Sequence, residues 1–373
     1  MRRARGVVRS AFPSLRAELA AINWATFALL LAIGFVGGLA ARLAGLPIPF
    51  LIGSLIVVGL FTILWVANGH DALPFPQRLR QRFVSVIGVM IGSTFSPEVV
   101  SELPATWPSL CATVLYVLIA SGFGYLILRH LGRYDRVTAF YGSVPGGLIE
   151  ATTLGEQAGG DIRILSVQHF IRIVLVVVTV PLLFLLWSGD SVGSAAGQVI
   201  STDPSAAIDV VLTLLIAIVG VWVAPILRIP APHLMGPLIL SVGLHSTGLI
   251  DLHSPAWLLS MAQLVVGAGL GAMFGGSSLR QLIRAVWLGA LAVVMMLALA
   301  LGFSLTLSRV SPVTAEALFI SFAPGGVAEM GLIALSLGVS PVIVAAHHLV
   351  RIMATVVFAG YVGRHTRWGG LKE

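Results

Sequence analysis

Apolar runs of about 17–25 residues recur along the whole chain, divided by short connections rich in Arg, Gly and Pro. Each run is long enough to cross a hydrocarbon core as a helix. They cover residues 24–41, 50–66, 110–128, 164–186, 208–227, 258–274, 285–307 and 342–361, with a shorter glycine-punctuated run at 83–95. Alternating ten-residue segments of the kind a membrane barrel needs are absent. The pattern predicts an all-α polytopic membrane protein.

The apolar pattern is broken twice by the same polar sequence. The first copy reads Pro145-Gly146-Gly147, then Glu150, His169 and Arg172. The second reads Pro324-Gly325-Gly326, then Glu329, His348 and Arg351, each 179 residues later. From 145 to 172 the copies align without a gap, and eight of 28 positions are identical: one Pro, three Gly, one Glu, one His, one Arg and one Ile. Chance resemblance between apolar segments would preserve Leu and Val instead. Gly88, Gly92 and Phe95 match Gly267, Gly271 and Phe274 at the same offset. Leu46-Pro47-Ile48-Pro49, Leu51 and Gly53 match Ile229-Pro230-Ala231-Pro232, Leu234 and Gly236 at an offset of 183. We therefore expect a basic tail at 1–22, a first repeat at 23–187, a polar connection at 188–207, a second repeat at 208–363 and a basic tail at 364–373.

Charge decides how the repeats face. Of the 373 residues, 57% are hydrophobic and 10% charged, where a soluble domain is nearer a quarter charged. The net charge of +7 sits in tails and short loops, as topology signals do, and not in a basic helix with interleaved aromatics, so no nucleic-acid partner is expected. Arg2, Arg3, Arg5, Arg9 and Arg16 precede a run too long for a signal peptide, which reads as an uncleaved first span. With the N-terminus inside, five crossings per half place the loops at Arg78–Arg82, Arg129–Arg136, Arg228 and Arg280–Arg284 inside, together with the C-terminal tail. Glu98, Glu102 and the 188–207 connection are then outside. Six crossings per half would put Arg280–Arg284 outside and leave an inside connection without a cation. The expectation is two inverted repeats: about ten transmembrane helices plus two broken or re-entrant Pro-Gly-Gly elements. The protein would be multi-pass in the bacterial inner membrane, both termini cytoplasmic.

Candidate chemistry gathers at the breaks. Proline removes a helix donor and glycine permits non-helical dihedrals, so freed backbone groups must be buried in protein or line a wet cavity. A helix restarting after Gly147 or Gly326 presents an N-terminus that favours anions. Glu150 and Glu329 would bind a proton, a cation or an amine there, or satisfy the freed N–H groups. Each His-x-x-Arg pair shares one helix face, which Gln168 and His347 extend. The arginines would pair with the glutamates or clamp an anion, and the histidines would carry protons, unless they are structural. The expected substrate or ion site is Pro145, Gly146, Gly147, Glu150, His169, Arg172, Pro324, Gly325, Gly326, Glu329, His348 and Arg351.

The remaining polar residues read more plainly. Asp161 and Arg163 have no charged counterparts in the second half and read as loop or cap residues. Trp24, Trp107, Trp187 and Trp257 read as interfacial anchors. Cys111 reads as a small buried apolar residue. His233, His245 and His253 lack carboxylates at metal spacing, and no Walker loop is present. Neither a metal, a cofactor nor an enzymatic activity is expected. The partners would be a small-molecule or ion substrate and the bilayer, with homo-oligomerisation left open.

The chain resembles the AbrB family of bacterial membrane proteins. The resemblance rests on Ser143-Val144-Pro145-Gly146-Gly147-Leu148-Ile149-Glu150, on Ala323-Pro324-Gly325-Gly326-Val327-Ala328-Glu329, on the His-x-x-Arg pairs and on the duplication. It implies an inner-membrane protein with two copies of a multi-helix unit, acting as a transporter; it supplies no substrate. Family members carry the labels ammonia monooxygenase and regulator. An oxygenase would need metal ligands, which this sequence does not space suitably. A secondary transporter coupled to protons or a cation is the first reading, and a membrane sensor or regulator acting through a partner is the second.

Overall fold

The computed structural model describes residues 22–46, 48–93, 106–188, 207–227, 229, 232–250, 252, 255–276 and 279–365. The N-terminal tail, Pro47, Glu98, Glu102, the 189–206 connection, Arg228, Pro230 and the last eight residues lie outside these. The described residues form helices without strands.

Fourteen helices follow one another among the described residues, in two runs of seven. The first run is α1 (Trp24–Leu43), α2 (Pro49–Ala67), α3 (Gln77–Gly92), α4 (Trp107–Leu126), α5 (Arg136–Ser143), α6 (Leu148–Gln157) and α7 (Ile162–Ser188). The second is α8 (Ala207–Ile226), α9 (Pro232–Ser246), α10 (Ala256–Ala272), α11 (Leu279–Leu307), α12 (Ala315–Phe322), α13 (Val327–Ser336) and α14 (Pro341–His365). Eight helices among the described residues are long and apolar enough to span a membrane: α1, α2, α4, α7, α8, α10, α11 and α14. At 16 and 15 residues, α3 and α9 are shorter.

Recurring glycines set the helix crossings. Gly37 of α1 lies against the Gly53 backbone of α2, and Gly220 of α8 against the Gly236–Pro237 backbone of α9. A side chain at any of these would overlap the neighbouring main chain, so the helices touch through their backbones. Gly88 of α3 faces the Leu234 carbonyl of α9, and Gly267 of α10 faces the Leu51 carbonyl of α2. The second helix of each run therefore packs on the third helix of the other. The Gly-x-x-x-Gly spacing seen in the sequence serves this exchange.

Hydrogen bonds identify which helix ends meet. Arg284, near the start of α11, donates to the Gly132 carbonyl just after α4. The Asp161 N–H, before α7, donates to Thr138 Oγ1 at the start of α5 (2.9 Å). The Tyr141 hydroxyl donates to the Ala359 carbonyl near the end of α14 (3.2 Å). At the other end, Ser109 in the first turn of α4 meets His347 in the second turn of α14 (2.9 Å). Phe184, late in α7, touches Phe319 of α12. The α5–α6 pair thus leaves and returns to one end of the molecule.

Three readings change with the structure. Arg78, Arg80 and Arg82 are not in a loop: α3 begins at Gln77, because Arg and Gln are good helix formers after the Pro76 N-cap. Arg284 likewise lies within α11. Cys111 is exposed, not buried; it shares the outer face of α4 with exposed Val114, Leu115 and Leu118. Asp161 is a cap as expected, its carboxylate accepting the N–H groups of Arg163 and Ile164. Trp24, Trp107 and Trp257 are exposed near helix starts.

Candidate functional site

Each Pro-Gly-Gly sequence separates a helix that ends from a helix that begins. α5 starts with Asp135 as its N-cap, accepting from the Thr138 N–H (2.9 Å). It ends at Ser143, where Val144 turns to extended geometry. Gly147 is the N-cap of α6, in extended geometry. α12 repeats the plan with Thr314 as N-cap, Ala323 as C-cap and Gly326 as the N-cap of α13. Both Pro-Gly linkers are buried.

The arginines cap the ending helices. Arg172 Nη1 donates to the Val144 carbonyl and Nη2 to the Gly146 carbonyl, each at 2.7 Å. Arg351 Nη1 donates to the Ala323 carbonyl and Nη2 to the Gly325 carbonyl, the latter at 2.6 Å. A guanidinium is a planar fork that can take two carbonyls at once. A cation also complements the negative end of a helix dipole. The histidines bond one turn earlier: His169 Nε2 meets the Tyr141 carbonyl (2.9 Å) and His348 Nε2 the Ile320 carbonyl (3.2 Å). His348 Nδ1 also meets Arg351 Nη2 at 3.0 Å. A carbonyl only accepts and a guanidinium only donates, so His348 is the neutral tautomer with its proton on Nε2. His169 Nδ1 is buried and has no hydrogen-bond partner among the described residues.

The glutamates cap the starting helices. Glu150 and Glu329 occupy the third position of α6 and α13, where a carboxylate can fold back over the N-cap. Their Oε2 atoms lie where a Cβ on Gly147 or Gly326 would stand. This is why the third residue of the motif is glycine. The third repeated glycine ends the same helices: Gly159 and Gly338 have φ of +89° and +65°. Behind them Gly160 N–H reaches the Gly155 carbonyl and Val339 N–H the Ala334 carbonyl, which closes each helix end.

All twelve candidate residues thus belong to two helix junctions of one design. The structure does not pair arginine with glutamate, because the arginine N–H groups go to the carbonyls of the ending helix. It does bring the junctions together: Arg172 and Arg351 are within electrostatic range of each other and of Tyr116. Tyr116 is fully buried and bonds the Met296 carbonyl where α4 crosses α11 (3.2 Å). Each junction thus sets a buried guanidinium on the carbonyls that end one helix and a carboxylate over the N-cap that starts the next.

One residue was hidden in the sequence. Arg80 of α3 lies within electrostatic range of Glu329. Its Nε is buried without a hydrogen-bond partner among the described residues, and its stem lies over Gly269 of α10. In the sequence it is one of three arginines beside a span, which reads as a topology signal. Only helical phase separates Arg80 from Arg78 and Arg82. Its counterpart in the second half, Leu259, is apolar, so the duplication offers no signal either.

Residues 60–367 match the family model described as "Transition state regulatory protein AbrB". The chain belongs to the AbrB family. Among its relatives, a protein of Escherichia coli (strain K12) named "Putative regulator AbrB" is 26% identical over 337 residues, covering 90% of this chain and 93% of its own length. Another, "Uncharacterized protein YhjN" of Bacillus subtilis (strain 168), is 28% identical over 346 residues, covering 87% and 89%. The match extends across both junctions, so AbrB membership covers the whole candidate site.

Proposed function

We propose that this AbrB protein is a secondary transporter of the bacterial inner membrane. It moves a small polar or charged solute, coupled to protons or a cation, through the space between the two junctions. The observation that carries this reading is the pair of buried, charge-capped helix breaks inside an otherwise apolar bundle. Broken helices whose ends face each other near the midplane are the usual means by which secondary transporters bind solutes. A protein needing only stability would keep those helices continuous, since buried ionisable groups are expensive in a membrane.

The inverted arrangement is part of the proposal. Support comes from the helix ends: α4 finishes where α11 starts, and α7 starts beside the beginning of α5. An excursion of α5–α6 that returns to its own side leaves five crossings per half. The eight long helices together with α3 and α9 make ten. Arg129, Arg133, Arg136, Arg163, Arg284 and Arg364 then share one side, taken as cytoplasmic by the positive-inside rule.

The test is flux of candidate solutes in vesicles holding the parent protein, Glu150→Gln or Glu329→Gln. Flux that is lost or uncoupled from the proton gradient in either variant supports the reading; unchanged flux in both removes the site. The names of the family and of one relative favour a second reading, a membrane regulator acting through a partner. That reading predicts altered gene expression in a deletion strain that Glu→Gln variants still restore.

A further inference from the structure

A second polar site lies away from the junctions, at the end of the bundle where α4 finishes and α7 and α11 begin. A cleft of about 150 Å³ is lined there by Tyr134, Arg163, Ile164, Val167, Arg284 and Ala285. This is several times the room one water needs. Its two cations come from different halves of the chain. Arg284 stacks over the Tyr134 ring (5.1 Å) and spends one N–H on the Gly132 carbonyl, which leaves four of its five donors. The Arg163 side chain is exposed and makes no hydrogen bond or ion pair among the described residues.

The acids nearby are already used. Asp161 accepts the N–H groups of Arg163 and Ile164, and Asp135 accepts that of Thr138. Arg129, Arg133 and Arg136 add to the positive field, and Arg129 also holds the Tyr134 carbonyl (2.7 Å). Burial raises the pKa of the Tyr134 phenol, although Arg284 acts to lower it, so the hydroxyl stays a donor. Around the cleft the surface is apolar: Leu131, Ile162, Ile283 and Trp287 are all exposed.

The duplication supplies a control. At the offset of 179, Arg129, Arg133, Tyr134, Arg136 and Arg163 correspond to Ser308, Pro312, Val313, Ala315 and Val342. The fold repeats, including the helix N-cap at Asp135 and Thr314, but the donors do not. The chemistry of the cleft is therefore not required to build this corner of the fold.

We propose that this cleft binds the phosphate of an anionic phospholipid, held by Arg163, Arg284 and Tyr134, with its acyl chains along Ile283 and Trp287. Basic pockets between membrane helices on the cytoplasmic side suit such headgroups. Bridging the start of α7 to the start of α11, the lipid would tie the two halves together at one face only.

The test is native mass spectrometry and thermal melting of the full-length protein in mild detergent, titrated with phosphatidylglycerol, phosphatidylcholine or inorganic phosphate. Phosphatidylglycerol should be retained and raise Tm, and phosphatidylcholine should do so far less. Arg163→Gln and Arg284→Gln should each weaken phosphatidylglycerol binding about fivefold, while Arg309→Gln, in the second half, should not. Arg163 is exposed, so its variant folds even if loss of the Arg284 contact to Gly132 unsettles the other. Equal retention by Arg163→Gln and parent, or equal retention of phosphatidylcholine, overturns the proposal. Inorganic phosphate alone should leave Tm unchanged; a rise equal to that with phosphatidylglycerol, lost in Arg163→Gln, would assign the cleft to a free anion instead.

Discussion

The two junctions share their caps and differ in their surroundings. Around the first, Glu150 is half-buried and α6 carries exposed Thr153, Glu156 and Gln157. α6 rests on α7 and α14, with Thr355 of α14 against Gly146, and has no comparable packing on α10 among the described residues. Around the second, Glu329 is only 9% exposed and α13 is buried along nearly its whole length. α13 is held by α14 and α7 and also by α3, whose Ile91 presses on Gly331. Thr153 and Leu332 occupy equivalent positions, yet one is exposed and the other fully buried. What is common to both junctions is therefore what a broken helix needs. What differs is access: the first junction is open and the second is sealed. In the proposed inverted arrangement, exchanging these two environments would open the opposite face, which is the motion alternating access requires.

The largest effect should come from removing what the junctions share. Arg172→Leu and Arg351→Leu each orphan two buried carbonyls, a loss of roughly 2–6 kcal/mol. Both should lower the yield of folded protein and its melting temperature, Arg351→Leu more so because His348 also loses a partner. A mild phenotype in both would mean that the guanidiniums serve a solute and not the fold.

Next in size are substitutions that act on one junction. Gly331→Ala drives a methyl into Ile91 at the seal, an overpacking of about 1–3 kcal/mol. It should destabilise the sealed junction, and in an Ile91→Ala background, itself destabilised by the cavity it leaves, the added methyl should cost almost nothing further. Gly155, at the first junction, packs against Leu165 and Tyr141 instead of α3, so an Ile91→Ala background should not lessen the cost of Gly155→Ala. A lessened cost of both in that background would show that the seal is not local.

The smallest effect concerns the carboxylates. Glu150→Gln and Glu329→Gln remove a charge from a helix N-terminus, a change of about 0.3–1 kcal/mol each. Melting temperatures should hardly move. Unfolding in either variant would make the glutamates structural and leave the transport reading without its ion carrier.

The junctions were legible in the sequence because Pro, Gly, Glu, His and Arg stand out in an apolar chain and recur at one offset. The helix crossings were half-legible: Gly88, Gly92, Gly267 and Gly271 were visible as repeats, but not that each run lays them on the other. Arg172 and Arg351 stood out in the sequence, but of their two expected roles the pairing with glutamate gives way to backbone carbonyls. An arginine's reach extends to carbonyls 26 and 28 residues away, and no pattern of side chains announces a backbone acceptor. The asymmetry between the junctions was hidden entirely. It depends on which helix of the other half packs against each copy, and a comparison of the copies themselves is blind to that. Cys111 was misread for a related reason, since in a membrane helix the outer face is as apolar as the inner.

The misread cysteine makes the decisive measurement simple. Cys111→Ser gives a chain without cysteine, and Cys111 lies on the exposed outer face of α4. Thr153→Cys and Leu332→Cys, each in that background, can be labelled with a membrane-impermeant maleimide from either side of inverted or right-side-out vesicles. The account predicts that Thr153→Cys reacts from the cytoplasmic side only and Leu332→Cys from neither, and that a transported solute which protects the first exposes the second to the outside. Reaction of both cysteines from the same side would contradict it.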